Sequence, residues 1–227
     1  MRIMVLAAAA ALLTGGCDRF AKTPPVKPAP GLVALPCDAG NGPLRPHSRS
    51  YCVGQRHYVT APARAGLAGA AEALMIHSPG TPVIYMEASW PLGRRPMPPH
   101  LSHGDGRQID LALFYTDAKG AALPRPPTRS GFGAYEPPRR ESERRCTGAE
   151  KRSARNDGKD PPADRTWRLD ETRTAELVRL LSADRRVRRI FLEPHLKARL
   201  GFSNDPKVRF AGCQAARHDD HLHVDFF

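Results

Sequence analysis

The chain has 227 residues, 41% of them hydrophobic, so it is long enough for one domain with a full core. Its 35 Lys and Arg outnumber 23 Asp and Glu, and the resulting net charge of +12 predicts an acidic partner or surface. Nucleic acid is disfavoured as that partner, because the basic residues lie in a proline-rich middle region with few aromatic side chains and no nucleic-acid-binding motif. The anionic bacterial envelope is the better candidate.

The N-terminal residues are typical of an export signal. A positive segment at residues 1–2 precedes an apolar run over residues 3–13, which is too short to span a bilayer. Small residues at 14–16 directly before Cys17 resemble a bacterial lipobox. We therefore predict a signal peptide over residues 1–16, lipidation of Cys17 and a membrane-anchored periplasmic protein in a Gram-negative-type envelope. Simple cleavage and an uncleaved anchor are the alternatives to lipidation.

The other four cysteines are Cys37, Cys52, Cys146 and Cys213. Four cysteines in an exported chain predict two disulfides, for which three connectivities exist. Neighbour pairing, Cys37 with Cys52 and Cys146 with Cys213, is the simplest of the three. A Cys/His zinc finger is disfavoured because the chain has no CxxC-type pair.

The segment at 17–36 has the composition of a flexible tether, rich in Pro, Lys and Ala, so we expect the folded domain to occupy residues 37–227. Thr60 can cap a helix that runs to about His77, and a buried strand follows at 83–86. Asp110 heads a further apolar strand over 111–115, where a carboxylate needs a cation or a hydrogen-bond partner.

The stretch from about 120 to 165 is rich in proline and charge, and we interpret it as a partly disordered insertion. Beyond it, Asp170 can cap a helix with an apolar stripe, followed by a strand at 187–192 and a short helix that starts at Pro194. Helices and strands mix without βαβ regularity. This pattern predicts an α+β fold around a small antiparallel sheet flanked by helices.

The last strand carries the strongest functional signal. From His221 onward imidazoles alternate with apolar residues, so His221 and His223 share one face, about 7 Å apart, while Leu222 and Val224 share the other. This arrangement suits one metal ligand beside one base. The alternative is an exposed polar strand end without function. Further ligand residues elsewhere in the chain would distinguish a metal site from this alternative.

His103 and Asp110 are such residues. They are seven residues apart, and Gly104 and Gly106 between them favour a loop followed by a strand. With His223 they form two imidazoles and one carboxylate, a common ligand set for a catalytic zinc that keeps one position open. His221 is then the candidate general base, and His218 a second candidate.

These residues resemble the penicillin-insensitive murein endopeptidases, which belong to the LAS group of zinc peptidases. The similarity is carried by two blocks, His100-Leu101-Ser102-His103-Gly104-Asp105-Gly106-Arg107-Gln108-Ile109-Asp110 and His218-Asp219-Asp220-His221-Leu222-His223-Val224. It implies a LAS/hedgehog-like core and one Zn²⁺ on His103, Asp110 and His223. It also implies catalysis by His221 with help from His218, and an outer position for His100 near the metal. The implied substrate is a D-amino-acid-containing cross-link of peptidoglycan.

Two other functions remain open at this point. A D,D-carboxypeptidase would need a cation for the free carboxylate of its substrate, and Arg94, Arg95, Arg107 or Arg217 could serve. A non-catalytic lipoprotein that binds peptidoglycan or zinc would keep the ligand set but has no need of the spare histidines.

Overall fold

The computed structural model describes residues 26–38, 40, 42–98, 100–148, 151 and 158–227. The predicted signal peptide and Cys17 lie outside the described residues. The described elements are β1 (Leu32–Ala34), β2 (Leu44–Pro46), α1 (Arg49–Val53), β3 (Tyr58–Thr60), α2 (Ala61–His77), β4 (Val83–Tyr85), β5 (Gln108–Ala112), β6 (Tyr115–Asp117), β7 (Trp167–Leu169), α3 (Glu171–Ala183), β8 (Val187–Phe191), α4 (Pro194–Arg199), β9 (Val208–Arg209) and β10 (His221–Phe226).

The central sheet has six strands in the order β2-β4-β5-β10-β8-β9. Its inner pairs β4/β5, β5/β10 and β10/β8 are antiparallel, whereas the outer pairs β2/β4 and β8/β9 are parallel. The mixture of helices and strands is compatible with the predicted α+β class. The antiparallel expectation holds for the centre of the sheet but is wrong at both edges. There the short strands β2 and β9 run parallel to β4 and β8, because the connecting segments contain helices α2 and α4.

Helices α2 and α3 pack against each other and cover one face of the sheet. Both begin as predicted, since the Thr60 hydroxyl accepts from the Ala63 amide and the Asp170 carboxylate accepts from the Arg173 amide. Apolar side chains of the two helices meet those of the sheet in one core, which includes Leu67, Leu74, Ile109, Leu111, Leu177, Leu181, Leu222 and Val224. The polar side chains of β5 and β10 therefore point to the opposite, helix-free face.

Two segments are more ordered than the sequence predicts. The tether was expected to extend to residue 36, but β1 pairs with β3, and Leu32 and Leu35 are buried. The folded part thus starts before Cys37, because both leucines are buried. The insertion at 120–165 has little regular structure, yet within its described residues Ala134 and Glu136 are buried and Tyr51 donates a hydrogen bond to the Ser130 carbonyl (2.6 Å).

Both predicted disulfides are confirmed, with Cys37 bonded to Cys52 and Cys146 to Cys213. Disulfides persist in oxidising compartments, so the two bonds indicate an exported protein. Among the described residues, no helix is long and apolar enough to cross a membrane. The Cys146–Cys213 bond joins the insertion to the loop that leads into β10, which ties this otherwise irregular segment to the functional face.

Replacing Cys146 and Cys213 together by serine should lower the free energy of unfolding by about 4 kcal/mol, because the bond closes a 67-residue separation in the unfolded chain. The Cys37–Cys52 bond, with a separation of 15 residues, should contribute about 3 kcal/mol and is the matched control. Urea denaturation followed by circular dichroism measures both values. An unchanged unfolding free energy in the first variant would show that the insertion does not depend on this bond.

Candidate metal centre

The register of β5 and β10 brings the two sequence blocks together. His223 lies directly opposite Asp110, and His221 lies opposite Ala112. Directly opposite residues of an antiparallel pair project from the same face of the sheet, so the imidazole of His223 reaches the carboxylate of Asp110. Leu222 and Val224 point into the core, as the alternation predicts.

Three ligand atoms converge on this face. Asp110 Oδ1 lies 2.9 Å from His223 Nδ1 and 3.3 Å from His103 Nε2, and the two nitrogens are 3.3 Å apart. All three side chains are buried. His100, His103 and Asp110 also form a group that could hold a metal ion, with one ligand atom of each within 4.8 Å of the others. Two overlapping sets of three potential ligands therefore share His103 and Asp110, with either His223 or His100 as the third member.

These residues fit a tetrahedral cation. Ligand atoms about 2.0–2.1 Å from a zinc ion are separated by roughly 3.3 Å, close to the spacing of the Asp110, His103 and His223 atoms. Asp110 Oδ2 is buried and has no hydrogen-bond partner among the described residues. A buried carboxylate oxygen without a partner costs free energy unless a cation or a donor satisfies it. Burial raises the pKa of Asp110, but its electrostatic interactions and hydrogen bonds with the surrounding imidazoles outweigh burial and hold this pKa well below its usual range.

The loop before β5 fixes the direction of His103. Its Nδ1 bonds the carbonyl of Ala88 (2.9 Å), which leaves the lone pair of Nε2 directed at Asp110 and His223. Gly104 has a φ of +131°, and a Cβ there would lie 2.2 Å from the Arg94 carbonyl oxygen. Only glycine fits this turn, which explains in physical terms why a glycine follows the histidine.

The Nε2 side of the His223 ring, opposite the ligand atom Nδ1, faces an ion pair of Asp225 and Arg189 that was not predicted. His223 Nε2 faces Asp225 Oδ1 at 3.5 Å, and Asp225 Oδ2 accepts from Arg189 Nε on β8. A carboxylate behind a ligating histidine fixes the ring and strengthens the nitrogen that faces the metal. Burial lowers the pKa of His223, but its hydrogen bonds to Asp110 and Asp225 raise it further, to about 9. A cation must therefore displace a proton from Nδ1 when it binds.

His221 is oriented by its neighbour Asp220. The Asp220 carboxylate bonds His221 Nδ1, and His221 Nε2 then faces Asp110 Oδ1 at 3.7 Å without replacing a ligand. The second oxygen of Asp220 accepts from the Gly133 amide of the insertion. Burial lowers the pKa of His221, but the charges of Asp220 and Asp110 outweigh it and raise the pKa above its ordinary value. The arrangement places an imidazole that can take and return a proton beside the ligand cluster.

The other two predicted residues flank this centre. His218 is buried, with its ring centroid 5.0 Å from that of His221 and 5.6 Å from that of His223. His100 is about one-third exposed, bonds Glu87 through Nε2 and places Nδ1 3.8 Å from Asp110 Oδ2. His100 Nδ1 therefore lies near the buried oxygen of Asp110, and the outer position of His100 stays a prediction.

The insertion forms one wall of the site. The Phe132 ring lies 5.0 Å from the His221 ring and 5.8 Å from the His100 ring, centroid to centroid. Gly131 beside it has a φ of +91°, and a Cβ there would meet the Met86 sulfur at 2.3 Å. The turn therefore packs closely on the sheet, and it places an aromatic side chain and a backbone donor at the centre.

Comparison with known proteins identifies no relative, since no protein-family model matches the chain and no curated protein sequence is similar to it. The interpretation of the site is therefore based on its geometry.

The sequence analysis did not identify Asp220, Asp225, Arg189 and Phe132 as residues of the site. Asp225 was detectable, since the alternation that placed His221 and His223 on one face places Asp225 there as well. Arg189 and Phe132 carry no such signal, because their positions depend on strand pairing and on an irregular turn.

Proposed function

We propose that the protein is an exported zinc-dependent peptidase that hydrolyses D-amino-acid-containing peptide cross-links of peptidoglycan, on a LAS-type core. The observation that carries the proposal is the convergence of His103, Asp110 and His223, with His221 held beside them by Asp220. A site that only stored a metal would have no use for a second, carboxylate-oriented imidazole aimed at the ligand cluster. This favours catalysis over a binding role.

A zinc ion on this ligand set would polarise the scissile carbonyl and lower the pKa of the attacking water. Side chains of the protein carry out the proton transfers. His221 Nε2 can accept the proton that the water loses and pass it to the amine that leaves when the C–N bond breaks. Asp220 keeps His221 Nδ1 protonated, so that Nε2 is the basic nitrogen. His218 packs on His221 and limits the movement of its ring.

The peptidoglycan assignment is supported by three independent features. The chain carries a net charge of +12, which favours approach to the anionic envelope. Its two disulfides indicate an oxidising compartment, where peptidoglycan lies. The two histidine blocks resemble those of murein endopeptidases in order and separation, and their strand ends pair so that Asp110 lies opposite His223.

Digestion of purified peptidoglycan sacculi with the zinc-loaded protein tests this proposal. We expect cross-linked muropeptide dimers to decrease and monomers to increase, measured by liquid chromatography and mass spectrometry. Loss of only a terminal D-Ala from monomers would instead indicate the D,D-carboxypeptidase. Tight binding to sacculi with no product, from wild type and His221→Ala alike, would indicate a binding lipoprotein. His77→Ala is the control, because His77 is exposed at the end of α2 and paired with Glu176.

Replacing Asp220 by alanine should lower kcat by about tenfold to a hundredfold and leave zinc content unchanged, because the side chain orients His221 and touches no ligand atom. Asp220→Asn keeps an oxygen that can accept from Nδ1 and should recover part of the loss. Steady-state kinetics together with metal analysis of the same preparations separates the two effects. Full activity of Asp220→Ala, or loss of its zinc, would contradict a positioning role.

A further inference from the structure

A cleft opens beside His218 and His223. Its volume is about 280 Å³, and its lining includes Arg95, Gln108, Arg189, Phe191 and Asp225. We call it the arginine cleft. It follows the functional face of the sheet from His223 toward Arg189, which lies opposite Asp225, two positions along β10. Two positions along a strand are roughly 7 Å, the length of two residues of an extended peptide.

Gln108 gives this cleft an unfilled hydrogen-bonding position. The residue is only 4% exposed, and its Oε1 has no partner among the described residues. On β5 it lies opposite Asp225 and on the same face as Asp110. A buried amide oxygen without a hydrogen-bond donor is destabilising by itself. A ligand with a peptide N–H would satisfy Gln108 Oε1.

The two arginines keep donors available for an anion. Arg189 uses Nε on Asp225 and lies over the Phe191 ring at 5.2 Å, with its side chain about one-third exposed. The single charge of Asp225 is shared between Arg189 and His223, so it neutralises Arg189 only in part. Arg95 contacts Asp105 through Nη2 at 2.7 Å and remains 44% exposed. A planar guanidinium binds a carboxylate through two parallel N–H bonds, which suits both positions.

We propose that the arginine cleft binds a free carboxylate of the peptide substrate, two residues from the bond that is cleaved. Arg95 and Arg189 hold the carboxylate, and the Gln108 side chain, which lies in the same row of the sheet as Arg189, bonds the adjacent peptide group. This inference rests on the proposed function for the identity of the peptide. Of the four arginines considered from the sequence, only Arg95 lines the cleft, whereas Arg217 is buried against Asp219 and Asp160.

Calorimetric titration with an uncross-linked stem peptide, and with the same peptide after conversion of its carboxylates to carboxamides, tests the proposal. We expect the free acid to bind at least about tenfold more tightly than the amide to wild type, with or without zinc. Arg95→Ala should reduce this difference, because only Arg189 then remains to bind the carboxylate. Arg94→Ala is the matched control, since Arg94 is the adjacent arginine, is exposed and does not line the cleft.

The Gln108→Leu variant distinguishes an effect on peptide binding from an effect on the stability of the fold. Leucine has a similar volume and removes a buried amide oxygen that has no partner, so thermal stability should be kept or increased while peptide affinity falls about tenfold. Equal affinity of wild type for acid and amide would overturn the proposal, as would an equal loss in Arg94→Ala and Arg95→Ala. Discrimination without cleavage of sacculi would refute the peptidase but retain the subsite. Cleavage without discrimination would refute the subsite alone.

Discussion

Replacing His223 by alanine is expected to remove the zinc and to lower kcat/KM on cross-linked peptidoglycan by at least about a thousandfold. His223 Nδ1 is the ligand atom nearest to Asp110 Oδ1, at 2.9 Å, and both groups are buried. Without the imidazole, the proposed ligand set keeps only His103 and Asp110, and a two-ligand site does not hold zinc at stoichiometric level. Metal analysis after dialysis and steady-state kinetics measure the two effects.

The His223 substitution also leaves Asp110 and Asp225 with fewer partners in a buried site, so its fold must be checked by circular dichroism. His100→Ala is the informative companion variant. His100 lies within 4.8 Å of His103 and Asp110, and it could complete a ligand set with them. We expect His100→Ala to keep most of its zinc, since its nearest contact with Asp110 is 3.8 Å. Loss of zinc from His100→Ala but not from His223→Ala would reverse the assignment of the third ligand.

Replacing His221 by alanine is expected to lower kcat by about a hundredfold to ten-thousandfold while zinc content stays at one ion per chain. The ring stands beside the ligand cluster, held through Nδ1 by Asp220, and its Nε2 lies 3.7 Å from Asp110 Oδ1. Its loss removes the group that moves the proton but none of the three ligands. KM should change little, because the ring contributes to the transition state more than to substrate binding.

His218→Ala is the neighbouring control for this experiment. His218 packs against His221 and His223 at 5.0 and 5.6 Å between ring centroids, and we expect a smaller loss of kcat than for His221. If His221→Ala retained full kcat, the base would have to be another group, and His218 would be the first to test. If His221→Ala lost its zinc, the residue would be a ligand and the division of roles on β10 would be wrong.

The sequence predicted the elements that depend on local rules. The caps of α2 and α3 follow from single side chains, and the alternation on β10 follows from the two-residue period of a strand. Strong local patterns of this kind survive tertiary packing. The proximity of His103, Asp110 and His223 was predicted from their residue types and from the resemblance to murein endopeptidases, since local rules do not pair β5 with β10.

The remaining features depend on contacts between distant segments. The parallel edge pairs of the sheet result from crossovers whose direction local sequence does not encode. Order in the insertion follows from the Cys146–Cys213 bond and from backbone contacts such as Gly133 with Asp220. Composition alone indicates disorder for such a segment, since it contains many prolines and charges. Phe132 could be recognised as part of the site only after this turn was placed.

X-ray diffraction from zinc-loaded crystals, with anomalous differences recorded at the zinc edge, tests the central claim most directly. We predict one strong peak per chain, about 2.0–2.1 Å from His103 Nε2, from an Asp110 carboxylate oxygen and from His223 Nδ1. His221 should lie outside bonding distance of this peak. No peak at this position, or a peak bonded to His100 in place of His223, would contradict the account.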